Sequence, residues 1–119
     1  MQDLIKATKA LSDETRLRIL SVLLERECCV CEVMQALDIS QTRASRNLKA
    51  LYEAGFLKLR KDGLWSLYSL DEGGMREYYS HLVEAVKKAL ENNAVVAKDR
   101  ECLKKAERIG PGCVRKLMK

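Results

Sequence analysis

The chain has 119 residues, 47% of them hydrophobic and 33% charged, and a formal net charge of +5. That length suits one domain with a modest core. No stretch approaches the roughly 20 apolar residues of a membrane helix, and no signal-type apolar block follows Met1-Gln2-Asp3, so a cytoplasmic protein with no membrane partner is expected.

In chain order, Leu4, Ile5, Ala7 and Leu11 recur at helical spacing, and Ser12 offers a cap to a second helix carrying Leu17, Leu20, Val22, Leu23 and Leu24. A short third helix is predicted over Val30 to Leu37. Asp38-Ile39-Ser40 then makes a tight turn in which Ser40 caps a fourth helix, so the third and fourth helices form a helix-turn-helix candidate. Within the fourth, Ala44, Leu48 and Leu51 make the inward stripe, leaving Gln41, Thr42, Ser45, Arg46 and Lys49 outward. Gly55 is placed to stop this helix, and the apolar period then shortens toward two. Leu57 and Leu59 before Asp62-Gly63, with Trp65, Leu67 and Tyr68 after it, describe a hairpin wing.

A long amphipathic helix is predicted from Met75 to about Asn92, carrying Tyr78, Leu82, Val83, Val86 and Leu90, with an apolar face suited to a partner subunit. Beyond Asn92-Asn93 a charged, helix-prone stretch runs to about Arg108, and Gly110-Pro111-Gly112 precedes a basic tail. The expected fold class is therefore mainly α: a winged helix-turn-helix with a two-stranded β-hairpin wing and terminal dimerisation helices. Residues 1–92 are expected to form the winged domain and 93–119 a charged helical extension with a cysteine-containing tail.

The positive charge is unevenly spread. Residues 40–61 hold Arg43, Arg46, Lys49, Lys58, Arg60 and Lys61 against Glu53 alone, a surface suited to a polyanion. Five cysteines, an odd number, crowd into two places, which fits neither a secreted disulfide framework nor scattered core packing. Reduced thiols are expected. Three of them, Cys28, Cys29 and Cys31, lie within four residues, nine residues ahead of the recognition helix.

The order helix, helix, helix-turn-helix, wing, long helix resembles the ArsR/SmtB family of winged-helix metal-responsive repressors over about residues 3–92. Four segments carry the resemblance: Ala10 to Leu20 with its Asp13, Thr15 and Arg16; Ser40 to Leu48; Leu51 to Leu57 around Gly55; and Asp62 to Leu70. Cys29-Val30-Cys31-Glu32-Val33 resembles the cysteine run of the arsenic-sensing subgroup. Cys28 stands where an apolar residue is usual, and Met34 where some relatives have a third cysteine. No counterpart is found for the family's Asp and His zinc site on the final helix, where His81 is alone.

The resemblance implies a homodimer that binds inverted-repeat operator DNA. Gln41, Thr42, Ser45 and Arg46 would lie nearest base edges, Arg43 and Lys49 on phosphates or flanks, and Arg60 and Lys61 on the wing. It also implies a metal site at Cys28, Cys29 and Cys31, with the third ligand open between Cys28, Cys102 and Cys113. Thiolates select soft ions: As(III) or Sb(III) fits three of them as inducer, whereas Cd, Pb or Zn usually recruits a fourth donor. At about 100° per residue inside a helix, Cys29 and Cys31 lie about 200° apart, so sharing one ion is expected to unwind the first turn of the third helix and tilt the fourth. Two other readings are open: the same fold sensing Cd, Pb, Zn or thiol oxidation, and, more remotely, a small thiol oxidoreductase using Cys28 and Cys31. The expected protein is not an enzyme and has no organic cofactor.

Overall fold

The computed structural model describes residues 1–109. Six helices and one hairpin follow in order: α1 (Gln2–Leu11), α2 (Glu14–Leu23), α3 (Val30–Leu37), α4 (Gln41–Ala54), β1 (Leu57–Asp62), β2 (Trp65–Leu70), α5 (Glu77–Leu90) and α6 (Ala94–Lys105). Among the described residues no helix is long and apolar enough to cross a membrane. The mainly helical winged helix-turn-helix expected from the sequence is the fold observed.

Local signals set most boundaries. Ser40 Oγ accepts the Arg43 amide at 3.2 Å and starts α4, while Gly55, at φ +99°, stops it. Asp38 turns the chain between α3 and α4 in the left-handed region, at φ 56°, a conformation Asp tolerates because its short side chain bonds locally. The hairpin pairs Leu57 with Leu70 through Asp62 with Trp65, antiparallel, around Gly63. Two predicted ends differ. Asp13, not Ser12, caps α2 by accepting the Arg16 amide at 3.0 Å, because the Ser12 hydroxyl instead donates to the Thr8 carbonyl at 2.7 Å. The fifth helix begins at Glu77 rather than Met75, after a turn in which the Gly74 and Met75 amides both donate to the Asp71 carbonyl.

The core gathers Ile19, Leu20 and Val22 of α2, Val33 and Leu37 of α3, Ala44, Leu48 and Leu51 of α4, and Phe56 at the mouth of the wing, all buried. Tyr79 of α5 stacks on Phe56 with centroids 4.6 Å apart, and its hydroxyl donates to the Ala54 carbonyl at 2.7 Å. A Cβ at Gly55 would sit 3.3 Å from the Tyr79 ring on a backbone that L side chains avoid. Gly55→Ala is therefore expected to lower stability by about 1–2 kcal/mol, read from the midpoint of urea unfolding.

The extension packs on the rest of the chain. Val96, Asp99 and Leu103 of α6 are buried against α2 and α3. Asp99 accepts Arg18 Nε and Nη2 at 2.8 Å each, and Arg18 also donates to the Leu37 carbonyl at 3.1 Å. One guanidinium thus joins α2, the end of α3 and α6.

Candidate thiol site and nucleic-acid interface

The segment after α2 runs extended and adds a one-residue bridge to the wing: the Cys28 amide donates to the Tyr68 carbonyl at 3.0 Å, and the Tyr68 amide returns to Cys28 at 2.8 Å. Neighbouring side chains of an extended chain point to opposite sides. Cys28 accordingly enters the main core, with its sulfur 3.6 Å from the Arg26 carbonyl. Cys29 enters a separate cluster with Cys31, Leu67 and Trp65.

Cys29 is the N-cap of α3, in extended conformation (φ −86°, ψ 170°), and Val30 is the first helical residue. The 200° argument holds only between two positions inside a helix, so it does not apply to this pair. The sulfurs of Cys29 and Cys31 lie 2.8 Å apart with α3 intact from Val30 to Leu37. The expectation that both can meet only on an unwound helix is corrected on this point. Cys28 lies outside the helix and packs in the main core rather than in the cluster of Cys31.

The helix start is held by Glu32. Its carboxylate accepts the Cys29 amide at 3.0 Å in a capping box, and it pairs with Arg26 at 2.5 Å and Arg108 at 3.3 Å while only 3% exposed. Burial pushes the Glu32 carboxyl upward, but the Cys29 amide and the two guanidinia outweigh it and hold it below the usual carboxylate range. Burial pushes both Cys28 and Cys29 up to about 12, and for Cys29 the contact with Cys31 adds to the rise. At neutral pH these two thiols carry their protons.

Residues 106–109 strap the site. Gln35 exchanges two hydrogen bonds with Glu107, at 2.8 and 3.1 Å; Arg108 lies 6.0 Å from the Trp65 ring centre; and Trp65 Nε1 donates to the Ile109 carbonyl at 2.7 Å. Cys102 is half-buried in a different groove, beside Arg18, Leu37, Asp38 and Asp99. Cys113 lies outside the described residues. Sequence reasoning missed Glu32, Arg26, Arg108 and the pairing of Trp65 with Ile109. Of these, only Glu32 had a local signal, its place three residues after the cap.

Along the outward face of α4, Thr42, Arg43, Arg46 and Lys49 are exposed. Several of the predicted residues also have partners within the protein. Gln41 donates to Ser45 at 2.8 Å, Arg43 donates to the Thr15 hydroxyl at 2.7 Å, and Lys49, though exposed, sits 3.7 Å from Glu53. On the wing, Arg60 is held bidentately by Glu27 at 3.0 and 2.5 Å, and Lys61 donates to Ser66 at 2.7 Å. Arg16, buried in part, ties the α1 end to α4 through the Ala10 carbonyl at 2.6 Å and Asn47 at 3.2 Å. Thr42, Arg43 and Arg46 line a cleft with Asp13, Thr15 and Ser40, where the starts of α2 and α4 meet.

The family described as "Bacterial regulatory protein, arsR family" matches residues 13–64, the stretch from α2 through the wing turn. An HTH-type transcriptional regulator of Methanocaldococcus jannaschii, itself uncharacterized, is 39% identical over 58% of this chain and 79% of its own length. The chain belongs to the arsR family. Among other members, a cadmium resistance transcriptional regulatory protein CadC homolog of Staphylococcus aureus is 45% identical over 69% of this chain and 65% of that protein. The arsenical resistance operon repressor of Escherichia coli is 49% identical over 56% and 57%. The chain spans about half to two thirds of the length of the first curated arsR-family relatives it matches. In fold it is similar to a homodimeric winged helix-turn-helix DNA-binding domain from Mycobacterium bovis, at TM-score 0.64 and 27% identity over 78% of this chain and 82% of that one. The arsR family consists of transcriptional regulators, not enzymes.

Proposed function

We propose that this arsR-family chain is a cytoplasmic homodimeric repressor that leaves inverted-repeat operator DNA when trivalent arsenic or antimony binds Cys29 and Cys31. The observation that carries the reading is the sulfur pair itself, 2.8 Å apart and walled by Leu67 and Trp65 of the wing. The E. coli arsenical resistance repressor and the M. bovis DNA-binding homodimer support it by likeness. In this reading 1–92 carries DNA binding and dimerisation, and the described part of the extension, 93–109, covers the inducer site.

The mechanism follows from packing. Two sulfurs bound to one soft ion would stand farther apart than the 2.8 Å of the free pair, because each lies a full bond length from the ion and the angle between the bonds is about a right angle or wider. That spreading takes place between Cys31 and Leu67, both fully buried, and a close-packed interior transmits such strain rather than absorbing it. The wing is tied to this segment three times: by Leu67 and Trp65, by the bridge from Cys28 to Tyr68, and by the ion pair of Glu27 with Arg60. Binding therefore wedges the wing away from α3 while α3 stays helical.

The CadC homolog's likeness supports a second reading, with cadmium as inducer. The protonated Cys29 thiol favours the first. Arsenous acid exchanges hydroxyl for sulfur with release of water and no net proton, whereas a divalent cation must expel the thiol protons.

Arg46→Ala tests the DNA half of the proposal. Operator affinity should fall about tenfold, and the slope of log K against log salt should drop by about one if Arg46 meets a phosphate. Unchanged affinity and slope, measured by fluorescence anisotropy, would count against α4 as the reading head.

A further inference from the structure

The two faces of the wing meet different parts of the molecule. In its register Leu59 opposes Tyr68 and Lys61 opposes Ser66, while Arg60 opposes Leu67 and Asp62 opposes Trp65. Neighbouring strand residues alternate sides, so Leu67 and Trp65 look toward the thiol cluster, and Leu59, Tyr68 and Lys61 look the other way. On that second side the wing meets α4. The Tyr68 ring stands edge-on to Tyr52, with centroids 6.5 Å apart and planes at 82°.

Tyr52 is 45% exposed, and its hydroxyl makes no hydrogen bond among the described residues. A ring held in place with an open hydroxyl is a ready contact group, because tyrosine has few torsions left to fix on binding. Its place on α4 indicates what it would meet. Seven residues separate it from Ser45, which brings the helix back to within about 20° and advances it by about 10 Å. Tyr52 is therefore in line with a residue of the predicted reading face, but displaced toward the rim of a groove about 12 Å wide, where phosphates stand. Lys49 of α4 and Lys61 of the wing, both exposed, bring cations to this seam from either element.

We propose that Tyr52 binds the DNA backbone where it passes from α4 to the wing, its hydroxyl donating to a phosphate oxygen, and that Tyr68 is the positioning residue that holds the ring there. This rests on the reading of α4 as the element that enters DNA. A tyrosine contact has a signature that a cationic one lacks. It is neutral, so it releases no counterion and leaves the salt dependence of binding unchanged. It goes to the backbone, so it is made on duplexes of any sequence.

The test is fluorescence anisotropy of the full chain with a fluorescein-labelled duplex of random sequence, titrated at several salt concentrations. Tyr52→Phe is expected to bind about fivefold more weakly and Tyr52→Ala about tenfold, each with the parent's slope of log K against log salt. Tyr68→Phe keeps the ring and should bind like the parent. In a Tyr68→Leu chain the further change Tyr52→Phe should cost less than about twofold, because coupled residues do not add. Parent-like affinity in both Tyr52 variants would overturn the proposal, as would a lowered slope in either, the mark of altered docking. An undiminished cost in the Tyr68→Leu chain would remove Tyr68 from it. Arg46→Ala separates this failure from that of the underlying reading: if it weakens binding and the Tyr52 variants do not, α4 meets DNA without Tyr52, and if none of the three does, α4 is not the reading head.

Discussion

In Cys29→Ser and Cys31→Ser chains, arsenite should no longer release the operator at concentrations that release the parent completely. The half-effective concentration is expected to rise at least about a hundredfold, equivalent to about 2.7 kcal/mol. A serine hydroxyl is a hard donor that a soft centre does not favour. Global unfolding does not explain such a loss. Cys29 is the N-cap of α3, serine is among the preferred residues there, and the contact with the Glu32 carboxylate uses only the backbone amide of Cys29. Cys28→Ala is the control. It opens a small void in the main core and is expected to cost about 1 kcal/mol while leaving the arsenite response in place. Electrophoretic mobility shifts with graded arsenite read all three, and an undiminished response in either serine variant would remove the pair from the mechanism.

Asp99→Ala is expected to cost about 3 kcal/mol of unfolding free energy. Asp99 is 2% exposed and its carboxylate receives two Arg18 bonds, so its removal leaves a partly buried guanidinium without its anionic partner. Breaking a buried pair in this way costs about 3–5 kcal/mol. The lower end applies because the Arg18 side chain is 19% exposed and keeps its bond to the Leu37 carbonyl. The effect should be regional as well as global. With α6 loosened, the strap over α3 loses its anchor, and Cys29 and Cys31, nearly inaccessible in the folded chain, should react with a thiol reagent many times faster. Urea midpoints and labelling rates check both halves. An unchanged midpoint with unchanged labelling would show that the extension does not hold the site closed.

The fold was legible where the chain speaks locally. Ser40 and Gly55 bracket α4 because a hydroxyl cap and a left-handed stop act within one turn. Asp62-Gly63 marks the wing for the same reason, and the third helix has the limits its pattern implies. The thiol site was half legible. Its residues stand in plain view, but the helix starts at Val30, as its pattern implies, so Cys29 is the cap and lies outside the helical angle, where its side chain meets Cys31.

Contacts between distant segments left no local trace. Arg18 and Asp99 are 81 residues apart and Trp65 and Ile109 are 44 apart, so neither partner signals the other along the chain. The same holds for Arg43 and Arg60. Each reads as a free cation in sequence, yet Thr15 and Glu27 engage them in the structure.

Hydrogen exchange on the operator-free dimer, with and without arsenite, tests most directly whether the ion acts by wedging rather than by unwinding. The Val33 amide, which donates to the Cys29 carbonyl at 3.2 Å, reports the first turn of α3, and the Tyr68 amide, which donates to Cys28 at 2.8 Å, reports the seam to the wing. The account predicts that arsenite leaves Val33 protected and lowers protection at Tyr68. Loss of protection at Val33 with Tyr68 unchanged would contradict it.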